Sequence, residues 1–298
     1  GLCALNANTT GANNVAVGAE SLKVNTTGSN SVAVGRQSLD ANTTGQKNTA
    51  VGQGSLGVNT TANDNTTVGN SSLSNNTTGA SNAAVGSCAL KQNTTGASNT
   101  AVGYSALTAN TTASNNTAVG RDALTTNTTG ASNTAVGQAA LQYNTTGENN
   151  TAVGCRAMCS NTTGILNTAL GRAAADDNTT GGSNVAIGFH ALNGNTTGGC
   201  NTAVGCNAMG TNAMTGDFNS SLGANALQKL TSGSQNTGVG DGAGLCVTTG
   251  DNNLLLGKHA GRGTSPSGTI AGEDNRIVMG TTTVTNAYVW ISKLFLMV

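Results

Sequence analysis

The chain has little of what a globular domain is built from. Charged residues make up 8% of its 298 positions and aromatics 2%, against roughly 25% charged in ordinary soluble domains. Without large side chains it cannot fill a conventional core. There is one proline, Pro266, and no cluster among the 12 Lys and Arg residues, which 12 acidic residues balance. Binding to nucleic acid by phosphate neutralisation is therefore not expected. No apolar run approaches the ~20 residues of a membrane span, and no secretory signal is visible. Seven cysteines occur without a C-x-x-C pair, so zinc is not expected. Charge is also too sparse for the usual composition of disorder. What remains is order carried by backbone ladders and stacked small side chains.

The composition that is present supports this. Asn, Thr, Gly, Ala and Val dominate, with 43 glycines. Glycine recurs at Gly1, Gly18, Gly35, Gly52, Gly69, Gly86, Gly103, Gly120, Gly137, Gly154, Gly171, Gly188 and Gly205, always 17 residues apart. The next steps are 18, 17, 17 and 23, to Gly223, Gly240, Gly257 and Gly280. The unit reads G-x-x-A-L-x-x-N-T-T-G-x-x-N-T-A-V, repeated about sixteen times.

Each column has a physical reading. N-T-A-V is short, β-prone and ends at glycine, which predicts a strand closed by a turn or bulge. The A-L segment is expected to give a second short strand, and Asn-Thr-Thr-Gly a turn. Helix is disfavoured because Asn, Thr, Val and Gly are poor helix formers and each unit is too short for two helical turns. A unit of this kind cannot bury its own apolar face, so neighbours must cover it. If each unit forms one coil, like residues stack at ~4.8 Å, giving a rod about 75–80 Å long. The Val, Leu and Ala columns are expected to line a thin interior. The Asn column four before the glycine is expected to form an amide ladder: Asn14, Asn48, Asn65, Asn82, Asn99, Asn116, Asn133, Asn150, Asn167, Asn184 and Asn201. So thin an interior suggests several chains sharing a core, most simply around a three-fold axis. The fold class expected is all-β: a β-solenoid or β-roll of 17-residue coils, homotrimeric.

Three zones are expected: a regular array over 1–222, degenerate repeats over 223–280, and a C-terminal cap or junction over 281–298. The frame opens in mid-repeat at Gly1, as a processed product or fragment would.

Few residues offer chemistry. His190 and His259 are four coils apart, each two residues after a marker glycine, with no repeating base or orienting partner. Cys155 and Cys206 share a column but lie three coils apart, too far for a disulfide; inter-chain bridges are the alternative to plain thiols. Asp176 and Asp177, the adjacent carboxylates, read as turn residues. The run Gly238-Val239-Gly240-Asp241-Gly242-Ala243 mimics a dinucleotide fingerprint but sits in the repeat frame with no convincing helix after it. No catalytic, cofactor or metal residues are expected. Asn-Thr-Thr recurs at Asn8, Asn25, Asn42, Asn59, Asn76, Asn93, Asn110, Asn127, Asn144, Asn161, Asn178 and Asn195. Each is an N-glycosylation sequon, open to two readings: a sugar on every coil or turn chemistry alone.

N-T-A-V-G-x-x-A-L, as at 99–107 and 133–141, resembles the head repeats of trimeric autotransporter adhesins. The unit is longer than theirs, by an insertion expected at Asn-Thr-Thr-Gly. It is more similar still to repeat arrays in tail-fibre-like proteins of phages and large viruses. The segment 275–289 resembles the junction that precedes a self-cleaving intramolecular chaperone in such proteins. The resemblance implies left-handed β-rolls assembled as homotrimers outside a cell or on a virion. The expected function is a structural or adhesive fibre or filament subunit, partnered by copies of itself. A receptor-binding head using exposed variable positions such as Tyr104, Phe189 and His190, with a host or cell-surface receptor as partner, is the alternative. An ice-binding protein, suggested by threonine columns, is a third reading.

Overall fold

The structure, a computed structural model, describes residues 1–210, 213–263 and 268–281. Apart from Thr281, the expected cap at 281–298 lies outside the described residues. Sixteen three-residue strands, β1 (Val15–Val17) to β16 (Ile277–Met279), form one parallel sheet in chain order. Thus β7 (Thr117–Val119) pairs with β8 (Thr134–Val136), with Thr117 opposite Thr134 and Val119 opposite Val136. The expected all-β solenoid of 17-residue coils is what forms, and no helix occurs among the described residues.

Register survives the irregular coils. β12 (Thr202–Val204) meets β13 (Ser220–Leu222) at an offset of 18, and β15 (Leu254–Leu256) meets β16 at 23. A slip of one residue inside a strand would turn every side chain to the other face. The extra residues fall between strands, so the alternation is kept. The sheet thus runs on through β14 (Thr237–Val239), β15 and β16, where the repeat drifts.

The strand is a small part of each coil, yet most of the coil is laddered. In the coil 120–136, Thr134 N–H donates forward to Asn150 O at 2.8 Å and Leu124 N–H to Ala140 O at 3.0 Å. Asp122 N–H donates backward to Tyr104 O at 3.0 Å and Ser132 N–H to Ser114 O at 3.1 Å. The reversals come from positive φ. Gly120 lies at φ 134°, Asp122 at 59°, Leu124 at 52° and Ser132 at 59°. A residue in this region turns its peptide the other way, so both neighbouring coils are engaged. The same columns recur along the rod, at Leu22, Leu56, Leu107 and Leu141 for example. Two such residues with one between them curl the A-L segment, and Ala123 N–H bonds back to Gly120 O at 3.4 Å. The expected second strand is therefore a turn.

The marker glycine has a steric reason. A Cβ on Gly120 would stand 2.5 Å from Gly137 O and 2.7 Å from Gly137 C in the next coil. At φ 134°, with backbone so close, the position is left to glycine.

The interior also differs from expectation. The middle strand residue is buried in every strand after β1, as at Ala118 and Ala135, and it packs on the A-L column, as at Ala123 and Leu124. The Val column does not join them. Val alternates with the inward Ala along the strand, so it must point outward. Val17, Val68, Val85 and Val102 are accordingly exposed. Leu and Ala close a dry core within one chain, so no shared core is needed to bury them.

Candidate functional site

Two columns of buried asparagine run beside this core. In the Asn-Thr-Thr column, Asn42 Nδ2 donates to Asn25 Oδ1 of the preceding coil at 2.8 Å and to Gly45 O of its own turn at 3.0 Å. The pattern repeats from Asn25 to Asn195, with Nδ2 of each coil always directed at the coil before it. One amide therefore closes a turn and clamps two coils. The series stops at Asn195, whose buried Oδ1 has no partner among the described residues. Met214 lies opposite it in the coil that carries the extra residue.

The second column, before the strand, works differently. Asn133 N–H donates to Asn116 Oδ1 at 2.9 Å, and Asn133 Nδ2 reaches Gly147 O at 2.8 Å. Here the amide binds backbone on both sides. Asn48 through Asn201 share the arrangement, as Asn65 on Asn48 and Asn201 on Asn184 illustrate. Asn14 enters it through Ser31, whose N–H it accepts at 3.0 Å and whose Oγ receives Asn48 N–H at 3.2 Å. The amide-to-amide ladder expected for this column thus runs chiefly through the sequon column. Side-chain pairs appear in the second column at Asn167 on Asn150 and from Asn219 onward.

Burial bears on the sequons. N-glycosylation replaces one Nδ2 hydrogen and needs a path to solvent. From Asn25 to Asn195 both hydrogens are donated inside the rod and the side chains are buried. Asn8, in the first coil, is half-buried. In the folded coil these residues are clamps. The first Thr of the triplet adds a bond, Thr128 Oγ1 to Thr145 O at 3.1 Å, while the second, such as Thr129, is exposed.

Chemistry-bearing residues are scattered. His190 stacks on Phe189 with ring centroids 4.1 Å apart, and the Arg172 guanidinium lies 5.6 Å over the same ring. Tyr104 is exposed five coils away, roughly 24 Å by the strand spacing, so it does not join this patch. His259 Nε2 lies 3.8 Å from Asp241 Oδ2. Asp176 is buried and receives Arg156 Nη2 at 2.8 Å, and this pairing raises the Arg156 pKa. Asp177 beside it is exposed. Burial pushes the Cys159 thiol up. All seven cysteines are free, with Cys3, Cys200 and Cys206 exposed. Gly238 lies in β14 and Gly240 in the turn after it, so the fingerprint-like run opens no helix. Among the described residues no three His, Cys, Asp or Glu side chains gather as a metal site, and no helix is long and apolar enough to cross a membrane.

Sequence reasoning missed the outward Val column and the buried sequon column. The alternation within T-A-V could have shown the first, since Ala and Val face opposite sides. The second carried a signal as well: a polar residue kept in frame beside a turn glycine, where Asn can accept and donate together. No protein-family model matches the chain, and no curated protein matches it.

Proposed function

We propose that this protein is a structural subunit of an extracellular or virion-surface fibre or filament, whose work is length, stiffness and attachment. The observation that supports it is the unbroken run of sixteen strands, each bonded only to its neighbours in sequence. Such an array is mechanically a rod, and its length follows the number of coils. Fifteen strand intervals at the usual spacing give about 72 Å from β1 to β16. Assembly into a homotrimer of left-handed β-rolls belongs to the same reading and comes from the resemblance of the N-T-A-V-G-x-x-A-L unit to autotransporter heads and viral fibres. Solution scattering tests the rod. Excising residues 103–136, two whole coils, shortens it by about 10 Å while keeping strand content. A chain whose length does not follow coil number refutes the proposal.

One observation favours a second reading, a receptor-binding head. Exposed Arg172 and Phe189, with half-buried His190, form a cationic and aromatic patch on consecutive coils. If attachment runs through it, Phe189→Ala abolishes binding to target cells without changing rod length.

A further inference from the structure

The outward face of the sheet is a two-column ledge, one column from the first strand residue and one from the last. The last residue is aliphatic or Met in all sixteen strands: Val in eleven, with Leu170, Ile187, Leu222, Leu256 and Met279. The first residue is Thr, Val, Ala, Ser, Leu or Ile, and neither column carries a charge. Charges sit in other columns, as at Arg121, Asp122, Glu148 and Arg172.

Strand propensity does not account for this. It would favour Thr and Val, but it gives no reason for Leu or Met in a half-exposed position. Leu170 is 37% exposed, Leu222 54% and Met279 50%. Aliphatic side chains left in water along a whole rod mark an interaction surface. Core packing is no explanation either, because the Ala and Leu columns already close the interior.

We propose that this ledge is the surface through which copies of the chain associate side by side, so that the assembly's shared dry layer is the Thr and Val face. The proposal rests on the reading of the protein as an assembling fibre and names where the copies meet. Two observations select a second copy as the occupant. The first is length. The ledge runs through every strand with one residue pair per coil, and a partner must match that rise and twist along its whole extent. Another copy of this chain has the same rise and twist. The second is area. From the exposures of its residues the ledge offers on the order of 1,000 Å² or more per chain, against ~800 Å² per partner in a standard stable interface.

The test is native mass with charges placed on the ledge. Val85→Glu, Val119→Lys and Val153→Glu are two coils apart and alternate in sign, which limits repulsion within one rod. The control places the same charges on exposed turn threonines: Thr95→Glu, Thr129→Lys and Thr163→Glu. The expected result is a wild type and control at a multiple of 29.1 kDa, with the ledge variant at one chain mass and unchanged strand dichroism. A ledge variant that keeps the wild-type mass overturns the proposal and leaves the rod intact. A wild type that is itself monomeric at micromolar concentration also overturns it. In that case thermal hysteresis, measured on the monomer, would give the ledge to ice. Should the ledge variant fail to fold, Val119→Cys in a background with Cys3, Cys200 and Cys206 replaced by Ser decides. Oxidation is expected to join its chains, and unlinked chains refute the interface.

Discussion

The marker glycine column makes the sharpest prediction because the molecule contains its own control. Gly120→Ala places a Cβ 2.5 Å from Gly137 O and 2.7 Å from Gly137 C, both backbone atoms held in the ladder. It also forces alanine to φ 134°. That conformation costs ~1–3 kcal/mol for a residue with a side chain, and overpacking adds ~1–3 kcal/mol. The expected loss is about 3–5 kcal/mol. Gly130→Ala also crowds its neighbours, Gly147 O and Asn127 Oδ1. But its φ is not in the positive region, and the same column already holds Ala62 and Ala113. At Ala62 the turn has opened slightly: Thr60 N–H lies 3.3 Å from Thr77 O, against 2.9 Å for Thr26 N–H and Thr43 O. The cost expected there is about 1–2 kcal/mol. Guanidinium unfolding of both variants, followed by dichroism, compares the two. In a one-dimensional array a broken central interface also uncouples the halves. Gly120→Ala should therefore lower the m-value or split the transition, whereas Gly130→Ala shifts the midpoint alone. Equal losses from the two substitutions would refute the claim that positive φ, added to close backbone approach, fixes the 17-residue glycine frame.

Three further outcomes follow from the same geometry. Asn127→Ala strips the partner from Asn110 Oδ1, from one Asn144 Nδ2 hydrogen and from the Gly130 turn, all buried; the expected loss is about 2–4 kcal/mol by denaturant unfolding, and a loss under 0.5 kcal/mol counts against the clamp. Ser132→Gly relieves a side chain at φ 59° and is expected to raise stability by about 1 kcal/mol, measurable as a shift in Tm, while Ser132→Val at the same position lowers it. Acid should have little effect. Burial raises the Asp40 carboxyl above 3.8, so its contribution is present below that pH and lost as pH rises; hydrogen bonds lower Glu20 (from Gln37) and Glu273 (from Ala271 N–H) below 4.5, so theirs is present above that pH and lost as it falls. These oppose one another, and a thermal midpoint nearly flat from about pH 7 to about pH 3 is expected, with a steep acid collapse as the refuting result.

The repeat was legible because coil geometry and sequence period are the same thing. One glycine per 17 residues marks one close approach per coil, and the T-A-V strand follows from β-propensity and alternation. What could not be read was conformation that propensity opposes. Leu124 adopts φ 52°, a region in which an isolated leucine is rarely found, because the ladder on both sides fixes its peptides. A local reading therefore makes A-L a strand. The inward and outward faces are hidden for another reason. Hydrophobicity alone places Val in the core, although Ala next to it has to face the other way. The two Asn columns look alike in sequence, and only their stacking shows that one binds amide to amide and the other amide to backbone. The exposed residues at variable positions, such as Tyr104 and Phe189, carry no periodic signal at all.

The 17-residue register has a consequence for how the chain folds. In most all-β proteins, strands that pair are far apart in sequence, and bringing them together is slow. Here the stacking bonds join residues about one coil apart, 17 positions in a chain of 298, a relative separation of about 0.06. That lies at or below the range of fast-folding helical bundles. Forming the first pair of coils is the hard step, since neither has a surface to lie on. Each later coil then closes a short loop onto a template that already presents its acceptors. The rod can therefore grow as its chain emerges, never leaving more than about a coil of unpaired strand exposed to aggregation.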